Sequence, residues 1–445
     1  MASIAVVGGG VAGLTCAWRL QRAGHDVEVL EREDAPGGRM RSERIATPRG
    51  DFVVDRGAQF VASAYRNLHA VAGALGIESR LQRIHPSRNA ILRGGRLHAG
   101  DYGSPPQFLR SRLLSARAKL RLGHVAWTLW RERRAVDPYH PERAARLDRE
   151  DMASWLRRTV GTEATEYLFA PAFSSTFDCE PEDLSAAFAL LTLRFVLGGF
   201  GLESFEGGTG LLTRTLAEQV PVRSGCEVTA VETTPEGARV AYRARGAGRE
   251  GRVLADAAVV ALPGSLVPGV CATLVPAEKS FFAEVRYGRG IICFLLLERA
   301  PATLPGYGLA FPRREGVGLY GLAVDHHKPG AAPAGAGLVN AALTAEASSR
   351  LWDATDDDVA TYVLDALGRT PVGRLAPLAV AVHRWDPMLP HFPAGYLAHL
   401  AAFLERRERS PRLAFAGDYL LGPYTEMALT SGMRAATEIA RALEG

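Results

Sequence analysis

The sequence predicts an α/β fold joined to an α+β second lobe. Three observations carry that expectation. The chain opens on a strand–glycine turn–helix–strand unit and closes on a strand–Gly-Asp–loop–helix unit. Between them runs a long helical stretch followed by alternating strands. At 445 residues the chain exceeds what one hydrophobic core usually supports, so more than one lobe is expected.

The opening unit has a clear physical logic. Ser3-Ile4-Ala5-Val6-Val7 is a short apolar run that leads into Gly8-Gly9-Gly10-Val11-Ala12-Gly13. A helical pattern follows (Leu14, Ala17, Trp18, Leu20), and a second apolar run, Val27-Glu28-Val29-Leu30, ends on Glu31. This is the dinucleotide-binding βαβ unit. Gly8 permits the tight turn, Gly10 lets backbone approach a pyrophosphate, and Gly13 lets helix and strand pack closely. Val11 and Ala12 begin the helix, whose N-terminal N–H groups face the phosphates. Glu31, followed by Arg32, is placed to accept hydrogen bonds from a ribose 2′-OH. Gly246-Ala247-Gly248-Arg249-Glu250-Gly251 matches the same glycine spacing. It lies between Arg243 and Arg252 with no helical period after it, so it is read as a hairpin turn.

Bulk properties narrow the class. Net charge is +4, and the excess arginine is clustered. No apolar run approaches the ~20 residues of a membrane span. The first apolar stretch is the nucleotide strand, so no signal peptide is expected. Five cysteines (Cys16, Cys179, Cys226, Cys271, Cys293) are scattered without a CxxC pair. They predict reduced thiols in a cytoplasmic protein, with neither a disulfide framework nor a metal site. Asp325-His326-His327 lacks a second ligand cluster and is read as a solvated loop.

Further along, Pro36-Gly37-Gly38 must turn, and Arg39 follows where a cation could face phosphate. Phe52-Val53-Val54-Asp55 enters the turn Arg56-Gly57-Ala58, a place stripped of bulk where a planar ring could approach. Gln59 and Phe60 come next. These segments together resemble the N-terminal signature of the flavin amine oxidase superfamily, which includes protoporphyrinogen oxidases, phytoene-type desaturases and monoamine or polyamine oxidases. The resemblance implies a Rossmann-like FAD-binding domain. Gly38 and Arg39 would lie along the pyrophosphate and ribityl chain, Gly57 and Ala58 near the isoalloxazine, and Gln59 and Phe60 beside it. It also implies that Val228, in the strand Cys226 to Val231, contacts adenine through its backbone.

The closing unit, Leu413 to Gly417-Asp418 and then Tyr424-Thr425-Glu426-Met427-Ala428, suits a second cofactor contact. Asp418 would bind polyol hydroxyls, and the helix N-terminus would lie at the flavin's pyrimidine end. With Ser431-Gly432 and Ala435-Ala436 it resembles the superfamily's closing motif, with Met427 in place of the usual Gly and Thr425 as a backbone donor.

Residues 107–135 read as helical and basic. Arg110, Arg112, Arg117, Lys119, Arg121, Arg131, Arg133 and Arg134 stand against Glu132, with Leu113, Leu114, Leu120, Trp127 and Trp130 interleaved. Solvated arginines are the simpler reading. A peripheral membrane contact through residues 110–134 is the alternative, and no motif accompanies the charge to suggest nucleic acid. The run on to Pro181-Glu182-Asp183-Leu184-Ser185 resembles the helical substrate lobe of the protoporphyrinogen oxidase and carotenoid desaturase branch, with helix interrupted at Pro171 and over Asp178 to Asp183 and resumed from Leu184 to Phe195. The expected division is an FAD domain of residues 1–90, 205–265 and 395–445. A substrate domain of antiparallel sheet would take residues 91–204 and 266–394, with a helical insertion at 105–200.

A flavin supplies its own redox chemistry, so no general base is required, and no triad or carboxylate pair stands out. The pocket candidates are Tyr424, Trp385 and Gln59, with His391 and Phe392 beside them. Trp385 to Gly395 resembles the segment that shelters the flavin. Pro387-Met388 replaces the cysteine that tethers FAD in monoamine oxidases, so FAD is expected to be non-covalent. The resemblance also implies a lysine at a place just after the Ile291 to Leu297 strand, where amine oxidases hold a flavin-facing water, and none stands there. The expected activity is removal of hydride from a C–C or C–N bond of a mainly apolar small molecule, with O₂ or a quinone as acceptor. An amine oxidase yielding imine and H₂O₂, or a non-redox flavin isomerase, are the alternatives.

Overall fold

A computed structural model describes residues 1–86, 88–100, 105–197, 201–246 and 248–444. It is a mixed α/β fold. A five-stranded parallel sheet runs in the order Val222–Arg223, Asp26–Leu30, Ser3–Val7, Ala257–Val260, Leu413–Phe415. Its strands come from widely separated stretches of chain, so no single stretch builds it. Parallel sheets are covered on both faces, which is why the inner strands Ser3–Val7 and Ala257–Val260 are near-continuous apolar runs rather than alternating ones. Ala5, Val6, Val7, Val259 and Val260 are buried.

The opening helix, Val11–Arg22, and the closing helix, Thr425–Glu444, pack against each other. A Cβ at Gly432 would lie 2.1 Å from the Ala12 carbonyl oxygen, so only glycine permits that approach.

A seven-stranded sheet forms the second lobe's floor. Its order is Pro377–Trp385, Gly290–Leu297, Gly337–Leu343, Leu319–Ala323, Gly308–Ala310, Asn89–Arg93, Arg96–Gly100. All pairs are antiparallel except Gly308–Ala310 with Asn89–Arg93. The Gly290–Leu297 strand shows why so apolar a run is needed. Ile291, Cys293, Leu295 and Leu297 face one core, while Ile292, Phe294 and Leu296 face another that includes Phe52 and Val54. A period of two buried on both sides reads as continuous hydrophobicity. Strands Ala238–Ala244 and Glu250–Ala255 pair antiparallel, as a hairpin turn between them requires; Ala247 of the expected turn lies outside the described residues.

The stretch before Leu202 is helical in short pieces, and the basic region forms three: Pro105–Arg110, Ala116–Arg121 and Gly123–Arg131. The interruption expected at Pro171 is absent. A π-helical segment, Thr165–Phe169, runs without a break into Ala170–Phe177, so Pro171 lies inside one helical run, and the wider π turn just before it accommodates a residue without an N–H. The helix does end at the second expected interruption, at Asp178, whose φ is 51°.

Candidate active site

The glycine turn forms a cradle. A Cβ at Gly13 would lie 2.0 Å from the Gly8 carbonyl oxygen, whereas nothing stands within 4 Å of one at Gly10. The first-turn N–H groups of the opening helix, at Val11 and Ala12, have no intrahelical acceptor, and the open space over Gly10 leaves room for an anion. Gly37 N donates to Gly9 O at 2.7 Å, which brings the second turn, with Gly38, over the first. Glu31 is buried; Gly9 N donates to its Oε2 at 2.7 Å and Glu33 N to its Oε1 at 2.8 Å. Two lone pairs are used and the others remain for a ligand hydroxyl. Cys226 N donates to Glu31 O at 2.7 Å, placing the strand that carries Val228 beside this acid. Arg32 turns outward and pairs with Glu33 at 3.1 Å.

The two terminal motifs meet at one ion pair. Arg39 Nη1 lies 2.8 Å from Asp418 Oδ2 and donates to Met388 O at 2.6 Å. Tyr287 donates to Asp418 Oδ1 at 3.0 Å and accepts from Gly264 N at 3.1 Å. Burial works against the charge on Arg39, but Asp418 and Tyr287 outweigh it and its pKa is raised. Burial, then the Asp418 charge, pushes the Tyr287 phenol up. Sequence reasoning sent Arg39 to phosphate and Asp418 to polyol separately; in the structure they hold each other. Tyr287 was missed, and nothing in its local pattern signals it.

Gly57 has a nearer neighbour than any ring. Its Cβ would fall 2.3 Å from Arg39 O, and Ala58 N donates to the same oxygen at 2.8 Å. Gln59 Nε2 donates to Asp55 O at 2.7 Å and Gly57 O at 3.0 Å. Its Oε1 accepts from Lys328 Nζ and Asn340 Nδ2. Both donors and both lone pairs are spent within the protein, so the Gln59 carboxamide clamps the turn and has nothing left for a substrate. Trp385 Nε1 donates to Arg56 O at 2.8 Å, which fixes that indole against the same turn.

Tyr424 lies on the loop that carries Asp418, and the residue remains partly exposed. Phe177 meets it edge-on at 5.4 Å, Phe195 lies at 5.7 Å, and its hydroxyl is 2.7 Å from Thr192 Oγ1. Phe392 is wholly buried and stacked on Phe188 at 4.9 Å; it is core rather than pocket wall. Thr425 starts the closing helix and Met427 is buried, its side chain within the main core. Glu426 is buried, and its carboxylate is committed elsewhere: it accepts from Asn67 N and Leu68 N, both at 2.9 Å, and from Tyr139 at 2.6 Å. It caps the helix Arg66–Ala74, so any cofactor contact falls to its backbone.

Asp178 was not foreseen. It is the only described non-glycine residue with positive φ. Phe177 and Cys179 on either side are buried while Asp178 stays partly reachable. Its Oδ1 is buried without a hydrogen-bond partner, and burial raises its pKa to about 7. A Cβ at Gly288 would lie 2.9 Å from His391 Nε2 and 3.9 Å from Asp178 O, so the two residues flank that glycine. Burial lowers the His391 pKa against the opposing charge of Asp183.

A parallel sheet with a glycine cradle, an acid ending its second strand and a Gly-Asp strand returning to it define a dinucleotide-binding protein. The chain belongs to the flavin containing amine oxidoreductase family, whose model matches residues 11–440. A provisionally named flavin-containing monoamine oxidase of Mycobacterium tuberculosis is 31% identical over 233 residues, and the match spans about half of each chain, 49% of this one and 48% of that one. The coproporphyrinogen III oxidase of the same species is 26% identical over 493 aligned residues, covering 99% of this chain and 98% of that one. A variant of putrescine oxidase shares the fold at a TM-score of 0.81 and 18% identity, with 99% of each chain covered. FAD is the cofactor the family implies. The residues fit it: open space over Gly10, free first-turn N–H groups and spare lone pairs on Glu31.

Proposed function

We propose that the protein is an FAD-dependent oxidase or dehydrogenase that removes hydride from a C–N or C–C bond of a mainly apolar small molecule. The observation that carries this is Tyr424, a partly exposed residue whose ring is walled by Phe177 and Phe195, on the same loop as Asp418. FAD, when bound, supplies the hydride acceptor, and O₂ or a quinone takes the electrons onward. The chain's own share is to grip, orient and dry. Gly8, Gly10, Gly13 and Glu31 take the ADP half, and Gly38, Arg39, Asp418 and the N-terminus at Thr425 take the rest. Thr192 holds the Tyr424 hydroxyl, and the phenylalanines keep water from the reacting bond. Names among the relatives, coproporphyrinogen III oxidase on one side and putrescine oxidase on the other, span both bond types.

Purified protein should be yellow and should release its flavin on denaturation, since no cysteine tethers it. Anaerobic mixing with the true substrate should bleach the flavin. Protein that never takes up FAD sinks the proposal, and a substrate turned over without bleaching shifts it to a non-redox flavin isomerase.

One observation favours the amine reading. An unpaired carboxylate beside Tyr424's aromatic neighbours, at Asp178, suits a protonated amine. Peroxide release across an amine panel supports it, whereas turnover confined to tetrapyrroles or polyenes excludes it.

The basic helices also favour a peripheral membrane contact. Leu120 is 82% exposed, and Trp127 and Trp130, stacked 4.9 Å apart, are each more than half exposed. The acid among them, Glu132, is buried against Arg131 and Arg146. Among the described residues no helix is long and apolar enough to cross a membrane. Flotation with anionic but not zwitterionic vesicles, lost in W127A/W130A, is the expected result; equal flotation with both refutes it.

A further inference from the structure

Behind the Gly57–Gln59 turn lies a sealed ionic cluster. Lys328 follows the short helical turn Asp325–His327, in the connection between two strands of the seven-stranded sheet. Its side chain is 2% exposed, and its Nζ meets Asp325 Oδ1 at 2.8 Å and Asp55 Oδ2 at 3.1 Å. It also donates to Gln59 Oε1 at 3.1 Å. Asn340 Nδ2 donates to that same Oε1 at 2.9 Å and to Asp325 Oδ2 at 2.6 Å. Asp55 is the hub on the other side: Ser42 Oγ donates to its Oδ1 at 2.6 Å, Thr209 N at 2.8 Å and Thr209 Oγ1 at 3.1 Å. Burial opposes the Lys328 charge, but Asp325, Tyr307 and Asp55 outweigh it, so its pKa is raised and the ammonium persists.

A buried ion cluster is a poor source of stability, because apolar residues of similar volume usually serve as well. What this cluster does contribute is direction. Lys328 and Asn340 orient the Gln59 oxygen, which aims the Gln59 amide at Asp55 O and Gly57 O. The shape of the Gly57–Ala58 turn therefore depends on a residue of the other lobe, 271 positions downstream of Gly57 (328 less 57).

We infer that Lys328 is a positioning residue for the flavin, acting through Gln59 to fix the turn that receives the ring and placing a fixed cation behind it. This rests on the FAD reading of the site. It differs from a lysine that contacts the cofactor, since Lys328 reaches the turn only through another side chain.

The test is a double-mutant cycle on the flavoprotein: wild type, K328M, Q59M and K328M/Q59M. Two quantities are read, the FAD dissociation constant by titrating stripped protein with FAD, and the midpoint potential of the bound flavin. Each single variant should weaken FAD binding about tenfold, ~1.4 kcal/mol, and K328M should move the potential in the negative direction. The double variant should match the worse single variant to within about twofold, the usual tolerance of additivity. Losses that multiply in the double variant overturn the inference, as do single variants that leave both quantities at wild-type values. D325N/K328M removes the cation together with one carboxylate and so guards against misfolding from charge imbalance. It should keep the K328M deficit; recovery of wild-type binding and potential would show that only charge balance matters. A wild-type protein that fails to take up FAD sinks the cofactor reading itself, a result seen before any variant is compared.

Discussion

Replacing Asp418 by alanine should strand the guanidinium that joins the two terminal motifs. Arg39 Nη1 sits 2.8 Å from Asp418 Oδ2, with side-chain exposures of 28% and 6%. Breaking a buried pair by removing one partner costs about 3–5 kcal/mol. The low end applies here, because Arg39 keeps its bond to Met388 O and some contact with water. The Tyr287 hydroxyl and Tyr419 N also lose their acceptor, adding roughly 1 kcal/mol. With roughly 2.1 cal/mol/K of unfolding entropy per residue, a 445-residue chain loses about 1 °C of midpoint per kcal/mol. D418A in FAD-stripped protein should therefore melt about 4 °C below wild type. D418N keeps the acceptor but not the charge and should lose about half as much. R39M/D418N, which removes both charges, should be less destabilised than the two single losses summed. Thermal melts followed by circular dichroism measure wild type, D418A, D418N, R39M and R39M/D418N. A D418A midpoint within about 1 °C of wild type, or strict additivity in the double variant, refutes the ion pair as the link.

Three further outcomes follow from the same geometry. E426A leaves Asn67 N, Leu68 N and Tyr139 without their acceptor and should cost about 2–3 kcal/mol, read as a lowered melting midpoint. G432A forces a methyl to within 2.1 Å of Ala12 O and should separate the opening and closing helices at a cost of about 1–3 kcal/mol, with weaker FAD binding as the second readout. Asp178, raised by burial from 3.8 to about 7, holds its proton in the folded chain across a range where the unfolded chain has released it. Stability from this group is thus complete below about pH 4 and lost as pH rises to about 7. Melts of wild type and D178N across that window should diverge in favour of D178N as pH rises, and parallel curves would count against a buried, unpaired Asp178.

The parts of the fold that could be read ahead are those whose physics is local. Gly8 to Gly13 sets a turn, a phosphate approach and a helix contact within six residues, and Glu31 ends the next strand of the same unit. The hairpin at 246–251 was legible for the same reason: arginines flank it and no helical period follows. Gly290–Leu297 could be read as strand, but its alternation between two cores could not, because a run buried on both faces carries no period in hydrophobicity. Pro171 misled because a proline breaks a regular i→i−4 ladder, and here the π-helical segment Thr165–Phe169 just before it takes up the change.

What could not be read is whether a polar side chain in the right place is still available. Gln59 and Glu426 stand within motifs, and position alone nominates both for a ligand. Yet the Gln59 oxygen is filled by Lys328 and Asn340, and the Glu426 carboxylate is engaged by Asn67, Leu68 and Tyr139, partners that lie hundreds of residues away. Asp178 shows the converse. Its place in sequence marks only a break in the helix, and it matters because its buried Oδ1 has no hydrogen-bond partner. A motif therefore specifies where a side chain stands, while its chemistry depends on hydrogen-bond capacity left over after folding. By that measure the free capacity of this site lies at Glu31, the Gly10 cradle and Asp178, and substrate selection should be sought around Asp178 and Tyr424 rather than at Gln59.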